Sequence, residues 1–370
     1  MRIGFDGKRA VQNFTGLGNY SRYVADILCH FYPENDYVLY APKKRENKRM
    51  NLLTGQYRQL TLAYPATSFW KKLSSLWRVW GITSQLEKEG IELFHGLSNE
   101  LPLNIHKSRI KSIVTIHDLI FLRYPQYYQS IDRKIYTYKF RKACENADKI
   151  IAISECTKRD IIRYFNIPDD KIEVVYQGCD VSFTHPVTEE KKEEVRKKYQ
   201  LPDHYILNVG SIEERKNILA AVQALPMLPQ HIHIVIVGRR TGYTEKVEQF
   251  IKDNGLGERV HIISNVPFND LPAFYQSAEI FVYPSRFEGF GIPIIEALYS
   301  GIPVVAATGS CLEEAGGPDS IYVNPDDITG LADAFKQIYS NSDKRKNMVE
   351  KGREFAKRFS EKQQSEEIIN

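Results

Sequence analysis

The sequence predicts an α/β protein with two doubly wound parallel sheets in tandem. Short β-branched or aliphatic runs alternate with longer amphipathic stretches almost throughout, which is the pattern of parallel strands covered by helices on both faces. The 370 residues favour two domains at roughly 150 residues each. The alternation breaks between residues 178 and 200, where Pro186 and the charged run Glu189–Lys198 show no buried-strand pattern.

The strands expected from these runs divide evenly between the two halves. They are Arg2–Phe5, Tyr37–Tyr40, Glu92–His95, Ser112–His117, Lys149–Ile153 and Glu173–Tyr176, followed by Tyr205–Val209, Ile232–Val237, Val260–Ile263, Ile280–Tyr283, Val304–Ala306 and Ile321–Val323. Helical patterns include Tyr20–Phe31 and Ser68–Lys88. We therefore expect a first domain of residues 1–180, a linker of 181–200, a second domain of 201–350 and a C-terminal helix of 351–370 that could pack back on the first domain.

Composition excludes several classes of protein. Fifty Lys and Arg against 46 Asp and Glu give a net charge of +4, which is too balanced to indicate nucleic-acid binding. Five scattered cysteines without a CxxC pair predict free thiols in a reducing compartment. The N-terminus lacks signal-peptide architecture, and no apolar run approaches the roughly 18 residues of a membrane span. We expect a cytoplasmic protein, with contact to a membrane surface left open.

Two loops in the second half carry groups suited to a ligand. Ser285–Pro293 follows one expected strand and precedes a helix, where glycines allow close backbone approach and free N–H groups attract anions or hydroxyls. Glu288 is expected in the loop and Glu296 about two turns into the helix, which suits two separate hydroxyl groups, as on a sugar and a ribose. The alternative is a helix-capping loop with a locally satisfied Glu288.

The second loop, Val209–Asn217, follows the strand Tyr205–Val209. Arg215 and Lys216 could neutralise a diphosphate and stabilise charge on a departing nucleotide. The alternative is a solvated loop in which the neighbouring Glu213 and Glu214 pair with the two cations.

Three features of the first half admit two interpretations each. Asn13–Tyr20 lacks the third glycine of a dinucleotide fingerprint, so it is interpreted as a loop near a phosphate or an acceptor. His117 ends a predicted strand and would face the cleft between the domains, or else it is a satisfied core histidine. Trp70, Leu73, Trp77 and Trp80 recur at helical spacing, which indicates a core-facing helix or contact with an anionic membrane or lipid-linked acceptor.

Taken together, these motifs resemble the retaining glycosyltransferases of the GT-B fold, specifically family GT4. The matching segments, in chain order, are Thr15–Gly18, Ile116–Asp118, Ala152–Ser154, Val174–Asp180, Gly210–Asn217, Val237–Gly238, the pair Glu288 and Glu296, and Gly301–Val304. The full set spans nearly the whole chain. The resemblance implies two Rossmann-like domains facing across a cleft.

The resemblance also implies a role for each site residue. Arg215 and Lys216 would bind the donor diphosphate, and His117 and Glu288 would contact the transferred sugar. The remaining donor-binding positions implied are Gly16, Gly18, Gly210, Ser211, Gly238, Val266, Phe290, Gly291, Ile292 and Glu296, of which Glu296 would hold the ribose.

The family resemblance further implies transfer with retention, by front-face attack in which the leaving phosphate accepts the acceptor's proton. No metal or cofactor is expected, since no Asp-x-Asp triad is present and Arg215 and Lys216 can replace a metal's charge. GDP-mannose is preferred over a UDP-sugar as donor, because the motifs resemble bacterial mannosyltransferases of polysaccharide assembly. A glycan or lipid-linked glycan is the expected acceptor. The alternatives are a sugar-nucleotide epimerase and a non-catalytic nucleotide-sugar-binding protein.

Overall fold

The computed structural model describes residues 1–14 and 16–370, so Thr15 of the predicted first-half motif lies outside the described residues. The chain separates into two compact units. Unit 1 consists of Met1–Gln177 and Glu361–Asn370, and unit 2 is Gly178–Ser360. Residues 181–200, predicted to be a linker, belong to unit 2 and contain the helix Glu189–Tyr199.

Unit 1 is built on a seven-stranded sheet in the order β3-β2-β1-β4-β5-β6-β7. Its strands are β1 (Arg2–Asp6), β2 (Asp36–Tyr40), β3 (Leu60–Ala63), β4 (Leu93–Gly96), β5 (Lys111–Ile116), β6 (Lys149–Ala152) and β7 (Ile172–Val174). Its helices are α1 (Lys8–Gln12), α2 (Gly16–Phe31), α3 (Lys48–Gln56), α4 (Ser68–Lys72), α5 (Ser74–Leu76), α6 (Ile82–Lys88), α7 (Ile120–Arg123), α8 (Ser130–Asn146) and α9 (Glu155–Phe165). Every strand pairing is parallel.

Unit 2 is built on a six-stranded parallel sheet in the order β10-β9-β8-β11-β12-β13. Its strands are β8 (Tyr205–Val209), β9 (His233–Val237), β10 (Val260–Ile263), β11 (Ile280–Tyr283), β12 (Val304–Ala307) and β13 (Ile321–Val323). Its helices are α10 (Glu189–Tyr199), α11 (Ile218–Ala224), α12 (Thr244–Asp253), α13 (Leu271–Ser277), α14 (Ile292–Ser300), α15 (Leu312–Gly316), α16 (Ile328–Ser340) and α17 (Ser342–Ala356). The prediction of two parallel-sheet domains is confirmed.

The sheet of unit 1 is buried on both faces, because successive strand residues point to opposite sides. Along β2, Tyr37 and Leu39 enter one apolar cluster, whereas Val38 and Tyr40 enter another. The last helix, α18 (Glu361–Ile369), contributes Ile368 to the first of these clusters and packs on α2. Residues 351–360, which the sequence analysis joins to this helix, stay in unit 2.

The predicted helix Ser68–Lys88 is broken rather than continuous. The backbone at Leu73 leaves the helical region (φ −104°, ψ 42°), and Trp77–Gly81 forms a π turn, which changes the face that later side chains occupy. Trp77 is fully buried, whereas Leu73 and Trp80 are 39% and 49% exposed. The expectation of one core-facing stripe is therefore correct for Trp77 and wrong for Leu73 and Trp80.

Candidate active site

Two loops of unit 2 meet at the carboxyl edge of its sheet. Strands β8 and β11 are neighbours, so the loops that follow them leave the same edge, which is where ligands bind in doubly wound sheets. The backbone N–H of Arg286 donates to the carbonyl of Arg215 at 2.9 Å. The predicted Arg215–Lys216 and Glu288 segments are thereby brought together.

Glu288 is the centre of this cluster. Its carboxylate accepts hydrogen bonds from Ser285 Oγ at 2.8 Å and Tyr283 OH at 3.2 Å. Arg215 Nη1 lies 2.9 Å from Oε2 and Lys216 Nζ lies 3.7 Å from Oε1. Burial alone would raise the pKa of Glu288, but the two cations and the hydrogen bonds outweigh it and hold the pKa below its usual value. Glu288 is therefore an ionised acceptor.

The cluster carries more positive than negative charge. The side chains of Arg215 and Lys216 are 14% and 18% exposed, and that of Glu288 is 13% exposed. Glu213 is more exposed and its carboxylate is 3.7 Å from Arg215. Burial opposes charge on both cations, but Glu288 outweighs it and raises the pKa of each above its ordinary value. Two largely buried cations share one largely buried carboxylate, so the cluster retains positive charge that can attract a further anion.

Glycines let the loops of this edge approach one another closely. A Cβ added at Gly238, after β9, would lie 1.8 Å from the carbonyl oxygen of Gly210, after β8. Gly210 itself has φ +153° and a Cβ position 3.0 Å from Lys216 Nζ. Ser211 donates to Glu213 at 2.6 Å. Val266, half-buried, lies in the adjacent loop after β10.

The start of α14 is held in place by Cys311, which sequence reasoning missed. Its thiol lies 3.0 Å from the carbonyl oxygen of Glu288 and 2.9 Å from that of Phe290. Gly291, the N-cap, has φ +129°, a conformation that favours glycine. The helix then begins at Ile292, so Glu296 lies about one turn into it rather than the predicted two.

Glu296 belongs to a different set of contacts from Glu288. Its carboxylate accepts a 2.6 Å hydrogen bond from Tyr275 OH. Burial, with a further contribution from nearby Asp180, raises the pKa of Glu296 to about 7, against the hydrogen bond from Tyr275. Tyr275 lies on α13, outside the segments that the sequence motifs singled out. The pKa values of the two acids are therefore shifted in opposite directions, which spacing alone did not indicate.

His117 of unit 1 is buried and both ring nitrogens have partners. Nε2 lies 2.9 Å from the carbonyl of Leu97, which can only accept, so Nε2 carries the proton. Nδ1 then accepts from the Gln177 amide at 3.2 Å. The His117 backbone N–H donates to Asn99 Oδ1 at 2.7 Å. Burial, despite the Leu97 hydrogen bond, lowers the pKa of His117 to about 4. The ring is therefore neutral at physiological pH.

A buried polar network continues from His117 into the sheet. The ring of Tyr20 meets that of His117 edge-on, with centroids 4.6 Å apart. Tyr20 OH is 3.3 Å from Thr115 Oγ1, which is 2.8 Å from His95 Nε2. Sequence reasoning missed His95 and Gln177 as parts of this network, although each is a polar residue at or just beyond the end of a predicted strand.

Gly16 and Gly18 lie in the first turn of α2, so their prediction as a loop is wrong. A Cβ at Gly18 would lie 2.0 Å from the carbonyl oxygen of Asn13, whereas one at Gly16 would meet nothing within 4 Å. The buried Arg22 donates to the carbonyls of Ala10 and Asn13 at 2.7 and 2.9 Å. These contacts allow the helix to begin earlier than the sequence pattern indicated.

Residues 1–14 and 16–370 contain neither a metal-binding cluster nor a helix able to cross a membrane. Within those ranges, no group of three or more His, Cys, Asp or Glu side chains is arranged to hold a metal ion. None of the helices in the same ranges has both the length and the apolar character needed to cross a bilayer. All five cysteines are buried free thiols.

Comparison with known families finds a match for each half of the chain. Residues 21–183 match the model described as Glycosyltransferase Family 4. Residues 189–355 match the model described as Glycosyl transferases group 1.

Curated relatives extend this similarity. The O-antigen chain mannosyltransferase B of Escherichia coli is 30% identical over 284 residues, which cover 75% of this chain and 73% of the relative. The O-antigen chain mannosyltransferase RfbU of Salmonella typhimurium is 29% identical over 225 residues, covering 61% and 60%.

Solved structures show a similar fold at low sequence identity. The HepE protein of Anabaena, determined with UDP and glucose, superposes with a TM-score of 0.77 at 17% identity, covering 100% of this chain and 98% of that one. The sucrose-phosphate synthase of Thermosynechococcus elongatus gives a TM-score of 0.78 at 20% identity, covering 100% and 97%.

Proposed function

Because this chain belongs to glycosyltransferase family 4 and has the GT-B fold, we propose that it transfers a mannosyl group from GDP-mannose to a glycan acceptor with retention of configuration. The observation that carries the proposal is the cluster in which the largely buried Arg215 and Lys216 share the carboxylate of Glu288. The names of the two mannosyltransferase relatives support the choice of sugar.

In this proposal Arg215 and Lys216 bind the donor diphosphate. Their excess positive charge stabilises the negative charge that develops on the leaving phosphate. Glu288, being ionised, can only accept hydrogen bonds, and we assign it to hydroxyls of the transferred sugar. Glu296, on its separate hydrogen bond to Tyr275, is assigned to the ribose. Gly210, Gly238 and the loop containing Val266 would border the base.

The proposed reaction needs no protein nucleophile. The bond between the sugar C1 and the phosphate oxygen breaks, the acceptor oxygen bonds to C1 on the same face, and the leaving phosphate takes the acceptor's proton. We propose that Arg215 and Lys216 supply charge stabilisation without a metal ion. Their burial beside Glu288 supports this assignment, because electrostatic interactions strengthen away from water.

We assign His117 a contact with the transferred sugar rather than a proton transfer. Its pKa of about 4 makes it a weak base near neutral pH. The partner of Nδ1 is a side-chain amide, Gln177, whereas the partner of Nε2 is backbone. We therefore propose that a sugar hydroxyl replaces Gln177 at Nδ1.

The proposed acceptor is a glycan or a lipid-linked glycan, with peripheral contact at a membrane surface. A glycan acceptor is supported by the O-antigen relatives. A sugar-nucleotide epimerase and a non-catalytic binding protein remain the competing hypotheses.

The base of the donor is tested by thermal unfolding with GDP, UDP and their sugar conjugates. A nucleotide at about 100 times its dissociation constant stabilises the folded protein by roughly 2.7 kcal/mol. GDP is expected to raise the Tm and UDP to leave it unchanged. The reverse result would assign a UDP-sugar instead of GDP-mannose.

Transfer is tested with radiolabelled GDP-mannose and a panel of glycan acceptors. Lys216→Ala and Glu288→Ala should abolish product, while Lys252→Ala, an exposed lysine on α12, should behave as the parent. An epimerase would change the sugar without an acceptor, and a binding protein would give no product with any acceptor. If Glu288→Ala transferred mannose as fast as the parent, Glu288 could not have the proposed role of binding hydroxyls of the transferred sugar.

A further inference from the structure

Exposed apolar side chains are concentrated on two helical segments of unit 1. Residues 69–80, a broken helical segment, carry four, and the continuous helix α8 carries three more at helical spacing. They are Phe69, Leu73, Leu76 and Trp80 on the first segment, and Ile131, Ile135 and Tyr138 on the second, exposed by 39% to 65%. Exposed apolar side chains grouped on neighbouring segments mark an interaction site more often than scattered ones do. We call these seven side chains the apolar rim.

The two segments of the apolar rim are neighbours in unit 1. Arg78 Nη1 lies 2.6 Å from Glu100 Oε2, and Lys139 Nζ of α8 lies 3.6 Å from Glu100 Oε1. Arg78 also pairs with the buried carboxylate of Asp6, its Nε donating at 3.1 Å. One carboxylate therefore joins both helical segments, and these ion pairs fix them on the sheet.

The first segment carries both buried and exposed side chains. Trp77 and Arg78 point into the unit, where Trp77 is fully buried and Arg78 is 11% exposed. Leu76 and Trp80, which flank these two residues in the sequence, are half exposed. Trp77 and Arg78 thus anchor this segment to unit 1, while its other apolar side chains stay exposed to solvent.

Cations accompany the apolar rim. Lys71 and Lys72 follow Phe69 and are exposed. On α8, a groove of about 650 Å³ is lined by Ser130, Arg133, Lys134, Thr137, Tyr138 and Arg141. Three of these six side chains are cationic. Apolar and aromatic side chains beside Lys and Arg are typical of helices that lie in the interface of an anionic membrane.

We propose that the apolar rim binds the surface of a bilayer containing anionic lipids. Phe69, Leu76 and Ile135 enter the boundary between headgroups and acyl chains, and Trp80 and Tyr138 occupy the interface that suits amphipathic rings. Lys71 and Lys134 contact lipid phosphates. The inference rests on the proposed function, because a lipid-linked acceptor would be presented at such a surface, and it identifies the part of unit 1 that contacts the membrane.

The full chain is tested by co-sedimentation with vesicles of phosphatidylcholine, with or without phosphatidylglycerol. The parent should bind the anionic vesicles more tightly, and binding should weaken in roughly 1 M salt, where the screening length falls to about 3 Å. The double variant Trp80→Ser, Ile135→Ser should bind at least roughly tenfold more weakly. The matched control is Leu52→Ser, Met227→Ser, which removes exposed apolar side chains elsewhere and should bind as the parent.

The charge contribution is tested separately with Lys71→Glu, Lys134→Glu. This variant should lose its preference for phosphatidylglycerol, while Lys252→Glu keeps it. Absence of parent binding to anionic vesicles at low salt would overturn the proposal, as would equal binding by Trp80→Ser, Ile135→Ser and its control. So would a parent dimer that the apolar-rim variant converts to a monomer, because the surface would then join two copies of the chain.

Failure of this inference can be told apart from failure of the proposed function. GDP should raise the Tm of the apolar-rim variants and the parent equally, which also shows that the variants are folded. Loss of vesicle binding with an unchanged GDP effect supports the membrane surface. A parent that binds vesicles but not GDP would instead reject the donor assignment and leave the membrane inference standing.

Discussion

Replacing Glu288 by Gln tests whether the buried carboxylate balances the two cations. Gln keeps the shape of Glu288 and can still accept from Ser285, but it removes the negative charge beside Arg215 and Lys216. Removing one partner of a buried ion pair lowers the free energy of unfolding by about 3–5 kcal/mol, because the remaining charge stays buried without its counter-charge. For a unit of this size each kcal/mol lowers the Tm by roughly 2–4 °C, so we expect unit 2 to unfold about 6–20 °C lower.

The matched control for Glu288→Gln is Glu213→Gln. Glu213 also faces Arg215, but at 3.7 Å and with 35% of its side chain exposed, so solvent screens the pair. Its loss should cost about 0–1 kcal/mol. Differential scanning calorimetry of the full chain measures the Tm of both variants.

The effect of Glu288→Gln should depend on pH and on added anions. The pKa of Glu288 is lowered in the folded protein, so its stabilising contribution is present above the unfolded pKa and is lost as pH falls through the folded pKa. The Tm difference between parent and variant should therefore be largest at neutral pH and should disappear at acidic pH. Pyrophosphate should stabilise the variant more than the parent, because it supplies the missing charge. A variant that unfolds within about 1 °C of the parent at neutral pH, well under the expected loss, would refute the ionised-centre interpretation.

Three further predictions follow from single contacts. Gly238→Ala should destabilise unit 2 by about 1–3 kcal/mol, since its Cβ meets the Gly210 carbonyl, whereas Gly242→Ala, with nothing within 4 Å, should be neutral in urea unfolding. Because folding raises the pKa of Glu296 to about 7, the free energy of unfolding should fall as pH rises from the unfolded pKa of Glu296 to pH 7, by up to roughly 1.4 kcal/mol per pH unit. Glu296→Gln should remove this pH dependence. An unchanged pH dependence in the variant would contradict the raised pKa. Nitrogen NMR should show His117 neutral with the proton on Nε2 from pH 6 to 8, and a protonated ring at pH 6 would contradict its pKa of about 4.

Strands with strong apolar runs were predictable from the sequence, whereas the weak edge strand was not. The buried strand Ile280–Tyr283 matches its prediction because a β-branched and aromatic run between turn residues is a local signal. The strand Leu60–Ala63, at the sheet edge, was missed because only Thr61 of its four residues is β-branched or aromatic, so its local signal is weak. Its position depends on pairing with β2, which is a non-local contact.

The candidate site shows the same division between local and non-local information. The pairing of Arg215 with Glu288 was not predictable from either loop alone, because it requires β8 and β11 to be neighbours in the sheet. Glu213 and Glu214 are the acids nearest to Arg215 in the sequence. In the fold, however, Arg215 is in closer contact with Glu288, which lies 73 positions further along the chain. Cys311 and Tyr275 were missed for this reason as well.

The return of α18 to unit 1 affects the order in which the protein can fold during synthesis. Unit 1 draws its residues from both sides of unit 2 in the sequence, and Ile368 is part of its apolar cluster around α2. A ribosome that has released residues 1–177 has therefore not yet supplied all of unit 1, although the whole sheet has emerged. Unit 2 is contiguous and can complete its core first. The N-terminal unit must keep part of α2 uncovered until the later unit has been made.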